Sequence, residues 1–276
     1  MTFGLLVVVL AAVFIGAVAQ RIAGLGFALL ISPFLVVILG AHGGVLMVNV
    51  CGLVSSLLVL FRVRRDVDWK MYGWLAVPAV FGSVPASFAA VYLPSAPLAV
   101  TVGAVVLAAL TVSLLLQRTS VVVTGNASRA LAGFASGVTN AVAGVGGPAV
   151  SVYALLSRWP QRPFAATLQP FFATIAVVTL TTKLALDPGR MPPFHAAAWV
   201  LIAAMIVAGI YAGEKLQRFI RDEHARFAVI VIAFLGAAAA LVKGERKRPG
   251  PRPSGRGVWP GPPHAVRAVA PAGVVS

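Results

Sequence analysis

Four side-chain amides and two glycine-rich breaks are the groups in this chain best suited to chemistry inside an apolar environment. Gln20 precedes Ala23-Gly24-Leu25-Gly26, and Asn140 precedes Ala143-Gly144-Val145-Gly146-Gly147-Pro148. Asn49 and Gln169 lie in the next long apolar segment after each break. A slide of 120 positions (144 − 24) carries Gly24 onto Gly144, Gly26 onto Gly146, Gln20 onto Asn140 and Asn49 onto Gln169. Breakers and polar side chains held in one register mark an internal duplication.

The chemistry these groups offer is hydrogen-bond donation without a full charge. An amide facing lipid costs a few kcal/mol unless it finds a partner, so all four must point inward. A helix that starts at depth exposes unpaired backbone N–H groups and the positive end of its dipole, which suits an anion. Gly147-Pro148 fits such a start, because proline is accommodated in the first helical turn. Gln20, Gly24, Gly26, Asn49, Asn140, Gly144, Gly146, Gly147 and Gln169 therefore form the candidate binding set for a small oxyanion. The alternative for each amide is interhelical hydrogen bonding, worth about 1 kcal/mol apiece. Arg21 and Lys183 flank this zone; their expected role is snorkelling to lipid headgroups rather than binding.

Other chemistries lack their residues. The carboxylates Asp66, Asp68, Asp187, Glu214, Asp222, Glu223 and Glu245 all fall outside the apolar segments. An intramembrane acid is the usual device for proton coupling, so acid-mediated coupling is not expected. The histidines (His42, His195, His224, His264) fall in loops, at segment ends or near the C-terminus, and each is expected to be solvated. With no paired acids at depth and no nucleophile set, an enzyme is not expected, nor a metal or other cofactor. Cys51 is alone in an apolar run, which excludes a disulfide framework.

The elements that must position these groups are membrane helices. Apolar residues make up 59% of the 276 residues and charged ones 11%, too little polar surface for a water-soluble domain of this size. Apolar segments fall at 3–20, 25–40, 45–61, 71–93 and 98–116, then at 129–143, 147–157, 164–183, 194–213 and 227–242. The fold class is thus an all-α polytopic membrane protein with two sequence-related repeats, 1–116 and 129–242, joined by a linker at 117–128. Residues 243–276, rich in Pro, Gly and Arg, read as a disordered basic tail, which gives no reason to expect a nucleic-acid partner. The N-terminal apolar run lacks a leading positive charge and reads as a first membrane segment. Gly209-x-x-x-Gly213 and Gly82-x-x-x-Ala86 have the spacing of close helix packing, and Pro78 and Pro85 are expected to kink one helix.

Two topologies fit. Each broken pair is either one interrupted span, giving eight spans and parallel repeats, or a helical hairpin, giving ten helical segments and oppositely oriented repeats. The hairpin places Arg21 and the basic stretches 62–70, 118–129, 158–162 and 215–226 on one side, expected to be cytoplasmic, and leaves 41–44, 94–97 and 187–190 opposite. It also puts the basic tail opposite, which runs against the same rule. The loop charges favour the hairpin.

The duplicated motifs, Ala23-Gly24-Leu25-Gly26 with Pro33 following and Ala143-Gly144-Val145-Gly146-Gly147-Pro148, make residues 3–242 similar to the sulfite exporter TauE/SafE family of membrane permeases. The first copy carries Phe27 where that family commonly has a further glycine. The resemblance implies a multi-pass permease of the plasma or inner membrane, exporting a small sulfur-containing anion such as sulfite or a sulfonate. A non-transporting accessory subunit is the competing expectation; it would need the packing glycines but not the paired amides.

Overall fold

The computed structural model describes the backbone of residues 3–23, 27–116, 121–216 and 222–246. Among these residues there are ten α-helices and no strand. The first half holds α1 (Phe3–Ala23), α2 (Phe27–Leu39), α3 (Ala41–Val63), α4 (Trp69–Tyr92) and α5 (Ser95–Leu116). The second holds α6 (Asn126–Ala143), α7 (Gly147–Leu156), α8 (Gln161–Leu186), α9 (Ala196–Leu216) and α10 (Asp222–Arg246). Six of them, α1, α3, α4, α5, α8 and α9, are long and apolar enough to cross a membrane.

Local chemistry sets the helix ends. Asp68 caps α4 by accepting from the Met71 N–H at 2.9 Å, so the helix starts two residues before the apolar run. Both prolines, Pro78 and Pro85, lie inside it without ending it. Gly144 closes α6 in the left-handed region at φ 72°, returning its N–H to Asn140 O at 2.7 Å. Some expected boundaries move. Gly40, at φ 82°, is the whole connection between α2 and α3, so 41–44 is helix rather than loop. Helix α6 begins inside the expected linker, at Asn126, and α10 runs to Arg246, past the expected start of the tail at 243. The rest of the tail, 247–276, lies outside the described residues.

The two helices flanking each glycine break pack against each other. Val123 N–H donates to Leu156 O at 2.9 Å, and Arg129 Nε donates to Tyr153 Oη at 3.1 Å, so the end of α7 returns beside the start of α6. In the first half, a Cβ placed on Gly16 of α1 would collide with Ile31 of α2. Fifteen residues of continuous helix would hold those two positions about 22 Å apart. In both pairs the helices therefore lie side by side as a hairpin rather than end to end.

The hairpins interlock with the opposite half. Helix α1 packs on α9 and α6 on α4, while α3 packs on α8 and α5 on α10. Exchanging the halves leaves these four pairings unchanged. Small residues bring the backbones together, since lipid offers no hydrophobic drive between helices and close contact must supply the attraction. A Cβ on Gly209 would stand 2.6 Å from Ala17 Cβ, and Gly133 and Gly137 lie against the Leu75 and Ala79 carbonyls. Ser32 Oγ of α2 donates to Ala143 O at the second hairpin tip.

Helices α3 and α8 run in opposite directions. Arg162 pairs with Asp66 at 3.0 Å at one end, and Arg190 meets His42 at 2.7 Å at the other. Large apolar side chains such as Phe61, Phe81, Leu115 and Leu131 remain outward and exposed, as lipid-facing surfaces do.

Candidate substrate site

The second hairpin tip and the facing ends of α1 and α2 meet α3 and α8 around a cavity of about 70 Å3. Helix α1 contributes Gln20 and α2 contributes Phe27, Ala28 and Leu29. Helix α3 adds Val48, Asn49, Gly52 and Ser56, and α8 adds Gln169, Phe172 and Ala176. The second hairpin supplies Asn140 and Gly144 through Gly147. Seven residues of the sequence-derived set thus come together here: Gln20, Asn49, Asn140, Gly144, Gly146, Gly147 and Gln169. Gly24 and Gly26 lie outside the described residues.

The lining repeats the 120-residue interval. Gln20 and Asn140, Phe27 and Gly147, Asn49 and Gln169, Gly52 and Phe172, and Ser56 and Ala176 each differ by 120 and all face this space. The last two pairs escaped the sequence reading. Their signal was helical spacing: 49, 52 and 56, like 169, 172 and 176, share one face of a helix.

The four amides sit in different states. Asn140 Nδ2 donates to Asn49 Oδ1 at 2.8 Å and Thr179 Oγ1 at 3.1 Å, with Ile175 O at 3.4 Å. Asn49 Nδ2 in turn donates to Val45 O at 2.9 Å. Both are buried, so this pair pins the second hairpin tip between α3 and α8. Gln20 accepts from Ser55 Oγ at 2.8 Å through Oε1, which leaves its Nε2 without a protein acceptor among the described residues. Gln169 donates to Ala165 O at 3.1 Å, while its Oε1 is buried without a partner. Rotating that amide by 180° would present N–H groups at the same position.

Backbone adds further donors. Helix α7 begins at the cavity wall with Gly146 as its N-cap and Pro148 in its first turn, so its leading N–H groups have no intrahelical acceptor. Helix α2 also begins there, at Phe27, and two positive dipole ends converge on one space. No carboxylate among the described residues lines it. Glu214 pairs with Arg62 at 2.7 Å and Arg21 at 3.3 Å, and Asp66 and Asp187 pair with Arg162 and Arg190.

Three side chains depart from expectation. Arg21 is engaged by Glu214 as well as half-exposed. His42 is not a solvated loop residue: it stands in the first turn of α3, within hydrogen-bond distance of Leu93 O at 3.1 Å and of Arg190. Lys183 does not snorkel. It is 4% exposed, and α8 continues past it to Leu186.

Residues 8–240 match the family model described as Sulfite exporter TauE/SafE. Neither a curated protein nor a solved structure gives a significant match.

Proposed function

The chain belongs to the sulfite exporter TauE/SafE family, membrane transporters for sulfite or related anions, and from that premise we propose that it exports a small sulfur oxyanion through the cavity between its hairpin tips. The observation that carries this reading is the convergence of two helix N-termini and amide groups on one space with no carboxylate in its wall. Such a wall favours anions over cations, and unpaired N–H groups bind oxygen atoms without needing a full counter-charge. A space of about 70 Å3 has the room of about two waters at ~30 Å3 each, comparable to an anion of four or five heavy atoms such as sulfite or a small sulfonate.

The gating layer is the Asn49–Asn140–Thr179 network. It closes one end of the cavity, while Gln20 and Ser55 stand at the other. Because equivalent helices of the halves run oppositely, rocking one half against the other would open one end as it closes the other. We infer that the end carrying Arg62, Asp66, Arg162 and Glu214 faces the cytoplasm, because basic residues are retained there during insertion. An inside-negative potential then drives a monovalent anion outward by about 2.3 kcal/mol per 100 mV, so no coupled proton is required.

The test is uptake and efflux of radiolabelled sulfite in proteoliposomes containing only this protein. Flux that follows an imposed potential supports the reading. Absence of flux for sulfite and small sulfonates alike would favour the accessory-subunit alternative, in which the Asn49–Asn140 bond is purely a fastening.

A further inference from the structure

Charged side chains of the described residues cluster at the two ends of the helices and find partners or solvent there, with one exception. Lys183, in the last turns of α8, is 4% exposed, and its Nζ has no hydrogen-bond partner among the described residues. A desolvated ammonium without a counter-charge is among the costliest groups a protein can carry, and in a membrane protein it marks a task. The helix C-terminus offers it favourable carbonyls in principle, but the Lys183 side chain bonds to none of them.

Its position on α8 gives the task a direction. Gln169, Phe172 and Ala176 line the cavity, and Thr179, the next residue on that face, accepts from Asn140 at 3.1 Å. Lys183 follows one turn later, about 6 Å further along the axis, and a helical side chain leans back toward the N-terminus, here toward Thr179. Beyond it α8 ends at Leu186, near the end of the molecule that holds His42 and Arg190. There Arg190 meets His42 at 2.7 Å, facing a hollow that also includes Tyr92 and Ser95. Asp187, four residues on in the chain, is engaged by Arg190 at 2.6 Å. Asp187 therefore supplies no ion pair to Lys183.

Resting on the export reading above, we propose that Lys183 is a second anion-binding residue of the path. It pairs with the oxyanion once the Asn49–Asn140–Thr179 layer has let it pass, and hands it to the Arg190–His42 mouth. The central cavity binds by neutral donors and Lys183 by charge, so the sites succeed one another.

The experiment compares the full-length protein with Lys183→Gln, Lys183→Met and Lys183→Arg in labelled-sulfite flux, and measures the melting temperature of each purified protein with and without millimolar sulfite. Binding at Lys183 predicts at least a tenfold loss of flux in the Gln and Met variants and substantial retention in Arg. It also predicts that Lys183→Met melts no lower than the parent without sulfite, because a buried unpaired charge is gone, yet loses most of the sulfite-induced shift. Flux and sulfite shift unchanged in Lys183→Gln would overturn the proposal while leaving sulfite export standing. So would failure of both Gln and Met variants to fold, which would make the lysine structural. If the parent carries no sulfite, the export reading fails, and an absent parent melting shift then removes the Lys183 site as well.

Discussion

Asn140 and Gln20 occupy equivalent positions 120 residues apart, yet their hydrogen bonds assign them different work. Asn140 spends its donors on Asn49, Thr179 and Ile175, and so fastens the second hairpin tip. Asn140→Leu removes these bonds and leaves Asn49 Oδ1 and Thr179 without a donor, a loss of about 1–3 kcal/mol of stability together with flux. Gln20→Leu is expected to abolish flux at a smaller cost, near 1 kcal/mol, since only the Ser55 bond is lost. Melting temperatures beside flux separate the two; equal stability losses would mean that Gln20 also serves as a fastening. That these amides face inward was legible in the sequence, because an unpaired amide in lipid is too costly to keep. Their partners were not. Asn140 and Asn49 stand 91 positions apart, and no local pattern encodes which of two repeat-related amides will be consumed by the other half.

Among the elements, the decisive one is the second hairpin, and Gly144 is what lets it turn. Its φ of 72° lies in the left-handed region, where a Cβ would also come within 3.0 Å of Val48. Gly144→Ala should cost about 1–2 kcal/mol and displace the start of α7 from the cavity, reducing flux. Gly146, at φ −93°, carries no such backbone strain, although an added Cβ there would stand 2.5 Å from Cδ1 of the buried Ile175, a side-chain end that must shift. Gly146→Ala is therefore expected to be the milder change, read as the smaller drop in melting temperature. The glycine breaks were visible in the sequence, as were the starts of α2 and α7 immediately after them. Whether each break bends the helix or reverses it was not, since both outcomes use the same residues. The decision lies in tertiary contacts such as Val123 with Leu156, and in sequence only the distribution of basic loops hinted at it.

At the scale of the whole molecule, hairpins and exchanged packing give the structure two chemically distinct ends. One end gathers Arg21, Arg62, Asp66, Arg162 and Glu214; the other gathers His42, Asp187, Arg190 and the α4–α5 connection. Basic residues are retained on the cytoplasmic side during insertion, so the first end is expected inside. Cys51 is fully buried, and Cys51→Ala supplies a background for single-cysteine labelling. In that background Ala127→Cys, at the start of α6, and Gln161→Cys, at the start of α8, should react with an impermeant maleimide only from the cytoplasmic face. Ser95→Cys and Gly189→Cys should react only from the opposite face. The first pair carries the argument: a hairpin puts residues 127 and 161 on one side, whereas a single interrupted span would put them on opposite sides. Labelling of Ala127→Cys and Gln161→Cys from different faces would therefore exclude the hairpin, and with it the opposed orientation that lets the two halves open the cavity alternately.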